Sequence, residues 1–66
     1  MALKLRSVRK RKCLSQTQLS EISGVHRTLI SRYEFGLVSP TVENLQKLAA
    51  ALNCTVDELI GKEEAS

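Results

Sequence analysis

Arg27, Thr28, Ser31 and Arg32 fall within six consecutive positions, and all four side chains can hydrogen-bond to base edges or phosphates. In a helix they would occupy the surface left free by Ile30 and Tyr33, which are three apart and share an apolar face. Leu19 and Ile22 repeat that spacing upstream and predict another short helix. Between the two, Gly24 can take the positive φ that ends a helix and begins a tight turn. Val25 is the apolar residue expected to fill the gap between the helices, and Ser20 is small enough to let them cross closely. Ser15 and Gln18 form a Ser-x-x-Gln capping box at the start of the first. The chemistry on offer is donation to anionic and carbonyl oxygens. A helical hairpin with a merely solvated polar face would share the helix-Gly-helix pattern. The weight therefore rests on cap, small residue, hinge, plug and two arginines occurring in register.

Other chemistries find no support. There is one histidine, His26, with no paired carboxylates in an apolar setting and no Gly-rich phosphate loop, so neither catalysis nor a cofactor is expected. Cys13 and Cys54 lack metal-site spacing and read as two separate thiols, Cys54 as a small core residue. Sixty-six residues make one domain, 1–66, that buries only about 60 % of the surface its unfolded chain exposes. Tyr33 and Phe35 are the only aromatics, so the core must be aliphatic. No apolar run approaches the roughly 20 residues of a membrane span, and Lys4, Arg6 and Arg9 interrupt any leader-like stretch. A soluble, cytoplasmic chain is the expectation.

Charge is distributed unevenly. Residues 1–32 carry eight of the ten Lys and Arg and one acid, Glu21, a net +7. Residues 33–66 carry Lys47 and Lys62 against six acids, a net −4. A basic half containing the hairpin suits a protein with one face on a polyanion.

The spacing predicts five helices and no strand: about 2–12, 16–23, 27–35, 42–52 and 56–60, with 62–66 a polar frayed tail. Leu5 and Val8 form the first stripe, Arg9 to Lys12 circle its end, and Leu14 drops into the core. Gly36 stops the third helix, Thr41 caps the fourth, and Val42, Leu45, Leu48, Ala49 and Leu52 line its buried face. Asn53 is a left-handed stop, and Thr55 with Glu58 makes a second capping box before Leu59 and Ile60.

Leu14–Glu34, Ser39–Thr41 and Leu45–Leu52 together resemble the helix-turn-helix regulators of the phage-repressor and Cro type, the XRE family, and the likeness extends from about Leu5 to Ile60. It implies an all-α fold, a compact five-helix bundle of the lambda repressor-like kind. It further implies a sequence-specific transcriptional regulator that binds double-stranded operator DNA as a homodimer. On that likeness Gln16 bonds a phosphate, Arg27 and Thr28 meet base edges, Arg32 meets one a turn on, and Ser31 makes a phosphate or minor contact. Arg9 and Glu34 match a pair that ties the first helix to the end of the third. His26 stands where Ser, Thr, Asn or Asp is usual as the cap of the third helix; its imidazole accepts a backbone N–H only when neutral, and it reads as a tolerated cap or a phosphate neighbour. Phe35, Leu37 and Val38 occupy positions that are commonly polar or basic, which leaves an apolar site for a partner protein. Cys13 replaces a frequent glycine, from which an ordinary backbone is expected. The rival reading is a protein-interaction module, an antitoxin or co-activator-like domain using the same fold.

Overall fold

The computed structural model describes residues 3–61, all helices and connections. The helices are α1 (Leu5–Arg11), α2 (Gln16–Ser23), α3 (Arg27–Glu34), α4 (Val42–Leu52) and α5 (Val56–Ile60). The starts of α2, α3, α4 and α5 are fixed by side chains that satisfy amides left without an intrahelical acceptor. Ser15 Oγ accepts the Gln18 amide at 3.0 Å while Gln18 Oε1 accepts the Ser15 amide at 2.8 Å. Thr41 Oγ1 accepts the Asn44 amide at 3.1 Å, and Thr55 and Glu58 repeat the reciprocal box. The Thr55 amide holds the Glu58 carboxyl below the usual glutamate range.

Stops are set by residues in the left-handed region. Gly24, at φ +80°, donates its amide to the Ser20 carbonyl and closes α2. After α3 the Leu37 amide reaches back to the Arg32 carbonyl at 2.9 Å across Gly36, at φ +74°. Asn53, at φ 55°, does the same for α4, with the Cys54 amide on the Ala49 carbonyl at 2.9 Å.

Cys13 corrects one expectation. Its φ is 59°, and the Leu14 amide donates to the Arg9 carbonyl at 3.2 Å, so the chain uses a glycine-type turn without a glycine. A left-handed L-residue costs about 1–2 kcal/mol, against about 0.5–1 kcal/mol for the extra freedom of glycine in the unfolded chain. Cys13 is exposed, so no packing is lost on removing it. Cys13→Gly is therefore expected to stabilise the domain by roughly 0.5–1 kcal/mol, read as a rise of a few degrees in thermal unfolding under reducing conditions. An unchanged or lower midpoint would show that the turn is unstrained.

Three boundaries differ from the pattern. The first helix starts at Leu5, because the Lys4 amide donates to the Leu59 carbonyl at 2.7 Å and crosses to α5. It ends at Arg11 where the Cys13 turn begins, and α3 ends at Glu34 with Phe35 just past it. Ala2 and the tail 62–66 lie outside the described residues.

The core is the aliphatic cluster expected: Leu5, Val8, Leu19, Val25, Ile30, Leu48, Ala49, Leu52 and Leu59, with Tyr33. α2 lies against α3 and α4, α4 against α5, and α1 against α3 and α5. Val25 is buried, and the Tyr33 hydroxyl accepts the Asn44 side-chain amide at 2.8 Å. Ile22 and Val42 are not part of the core, contrary to the spacing: they are 58 % and 69 % exposed. On α2 the covered stripe runs through Gln16, Leu19, Ser20 and Ser23, where small residues admit the neighbouring helices, and Ile22 falls beside it. Val42 stands in the first turn of α4, before the stripe of Leu45, Leu48 and Leu52 meets the body.

Candidate nucleic-acid interface

The underside of α3 is anchored by Ile30 and Tyr33, 0 % and 4 % exposed. At about 100° per residue, Arg27, Ser31, Thr28 and Arg32 fall in that order across roughly 140° of arc on the opposite side. Arg27, Thr28 and Arg32 are exposed and Ser31 is half-buried. The structure thus presents the four together along one ridge, with Ser31 the most recessed. Every side chain on that ridge can donate a hydrogen bond, and no carboxylate lies among them.

The one acid of α3 is consumed internally. Glu34 takes a two-pronged contact from Arg9, Nε to Oε2 at 2.6 Å and Nη2 to Oε1 at 3.1 Å. Arg9 Nη1 also donates to the Leu14 carbonyl at 2.8 Å. The two side chains retain only 10 % and 4 % exposure, so this is a buried, geometrically matched pair binding α1 to the foot of α3. Of the four cations ending α1, Arg9 turns inward, whereas Lys10, Arg11 and Lys12 stay exposed.

Gln16, the first residue of α2, is half-buried, and its Nε2 donates to Glu34 Oε1 at 3.0 Å. One amide hydrogen is thereby spent on the protein and the other remains to donate elsewhere. This contact across eighteen positions had no signal in the spacing, since neither residue marks the other. It couples the start of α2 to the end of α3 and fixes the orientation of the Gln16 amide. His26 caps α3, its Nδ1 accepting the Thr28 amide at 3.1 Å, and the residue is exposed. Among the described residues no cluster of His, Cys, Asp or Glu could hold a metal, and no helix is long and apolar enough to cross a membrane.

Two hinged helices, a left-handed glycine, a buried plug and a donor ridge define a motif, and a family model described as helix-turn-helix matches residues 5–59. The chain belongs to the helix-turn-helix family, in its XRE branch. Its backbone superposes on the P22 c2 repressor in complex with a synthetic operator with a TM-score of 0.79, at 35 % identity and 86 % coverage of both chains. The DNA-binding domain of the same repressor in solution gives 0.79 at 36 % identity, over 85 % of this chain and 74 % of that one. Among curated relatives, the control protein C.SmaI of Serratia marcescens is 43 % identical over 96 % of this chain and 75 % of its own length. The cryptic phage CTXphi repressor RstR of Vibrio cholerae is 39 % identical over 94 % of the chain, and the activator BcrR of Enterococcus faecalis 41 % over 92 %. This helix-turn-helix chain spans 57 % of the length of RstR and 30 % of BcrR.

Proposed function

We propose that this helix-turn-helix chain is a sequence-specific DNA-binding transcriptional regulator, acting in the cytoplasm by binding rather than catalysis. The observation that carries the reading is the ridge of α3, made only of hydrogen-bond donors and freed of its single acid by Arg9. α3 would lie in the major groove with Arg27 and Thr28 at base edges and Arg32 a turn further. Gln16, Ser31 and the Nε2–H of His26 would hold phosphates beside it, favoured by the positive start of α2. Relatives named as a repressor, an activator and a control protein support a regulator without choosing its sign.

A two-fold dimer on half-sites about 34 Å apart is the assembly this docking favours. Residues 35–42 carry no charge, and they hold Phe35, Leu37, Val38 and Val42, all exposed. Beside them lies a groove of about 410 Å³ whose walls include Leu3, Tyr33, Pro40, Leu45 and Ile60. This apolar surface is where a second copy would meet without like-charge repulsion. It is also the observation that favours the second reading, a module whose principal partner is another protein.

The test separates base reading from charge. Arg27→Ala and Arg32→Ala are each expected to cost about 1–3 kcal/mol on the preferred duplex and little on random duplex. Lys10→Ala is expected to weaken both alike and to flatten the salt dependence. Equal losses on both duplexes for all three variants would refute base reading by α3. No salt-dependent retardation of any duplex would leave the protein-partner reading standing.

A further inference from the structure

The cap of α3 differs from the other side-chain caps in this chain in being an imidazole nitrogen, where α2, α4 and α5 use hydroxyl oxygens. A ring nitrogen accepts a hydrogen bond only when it carries no proton. Acceptance of the Thr28 amide by Nδ1 at 3.1 Å therefore defines a neutral ring with its hydrogen on Nε2. The ring is exposed, so a proton arrives from water without any opening of the fold.

We infer that His26 is an acid-sensitive cap on the third helix. Protonation of Nδ1 removes the acceptor of the Thr28 amide and sets a positive charge on the positive end of the helix. Both changes oppose the first turn. The sign follows directly: the cap contributes while Nδ1 is unprotonated and is lost once acid protonates it.

The charged groups on the elements around α3 do not supply another partner. α3 carries Arg27, Arg32 and Glu34, α2 carries Glu21, α1 carries Arg6, Arg9, Lys10 and Arg11, and α4 carries Glu43 and Lys47. Arg9 and Glu34 are committed to each other at the far end of α3, and Lys47 lies 3.5 Å from Glu43. Among the described residues His26 has its side-chain hydrogen bond with Thr28 and no ion pair. Arg27 and Thr28 form the turn that opens. On the DNA-binding reading above, acid would therefore strike the base-reading end of the ridge.

Thermal unfolding near pH 7.5 and near pH 5 tests this without DNA, so its outcome is independent of that reading. Asn caps a helix at both pH values and Ala at neither, which makes His26→Asn and His26→Ala the two references. Near pH 7.5 the parent chain should match His26→Asn and unfold about 4–8 °C above His26→Ala. Near pH 5 it should fall to the His26→Ala level or below it while His26→Asn keeps its lead over His26→Ala. Carboxylates, Glu58 included, are common to all three chains and cancel in the comparison. A parent chain that keeps a constant gap to His26→Asn at both pH values overturns the inference, as does one that never exceeds His26→Ala.

Discussion

Glu34→Gln should cost about 3–5 kcal/mol, because it leaves the buried Arg9 guanidinium without its counter-charge. A domain of 66 residues has only about 3–10 kcal/mol in hand at the usual 0.05–0.15 kcal/mol per residue. The variant is thus expected to lose between about a third and all of that margin, with its urea midpoint lowered in proportion. What remains for Arg9 is neutral acceptors, the Leu14 carbonyl and the single amide oxygen of the substituted side chain, which cannot balance a charge at 10 % side-chain exposure. Replacing both members, Arg9→Met with Glu34→Leu, should recover most of the loss, since a buried pair roughly offsets its own desolvation. A single-variant loss below about 1 kcal/mol would mean that solvent already screens the pair as it does at a surface.

Ile30→Ala carries the second large effect, about 2–5 kcal/mol in urea unfolding. Ile30 is fully buried on the underside of α3, so its loss opens a cavity where the ridge is bolted to the body. Thr28→Ala, on the outer face of the same helix, should stay within about 0.5 kcal/mol of the parent chain. The two variants divide α3 into a face that holds and a face that is held out. Comparable losses at both positions would contradict that division.

Local chemistry is what the sequence made legible. The spans of α2, α4 and α5 follow from caps and stops whose residues act within four positions of one another. Leu19, Val25, Ile30 and Tyr33 were readable as core for the same reason. Ile22 and Val42 were misread because spacing marks a stripe but not which neighbour covers it or how far along the helix contact begins. Cys13 misled because residue type is a weak guide to φ once a carbonyl-amide pair five residues apart dictates the turn. Arg9–Glu34 came from likeness to relatives rather than from spacing, and Gln16–Glu34 came from neither. Contacts between distant segments depend on how helices are stacked, which no window of residues contains.

Selection of bound duplexes from a random pool tests the central reading most directly. The parent chain should enrich paired half-sites about 10–10.5 base pairs apart, and Arg27→Ala should lose its preference at one position in each half-site while keeping the spacing. Enrichment of no sequence above the starting pool, or an Arg27→Ala profile identical to the parent's, would contradict it.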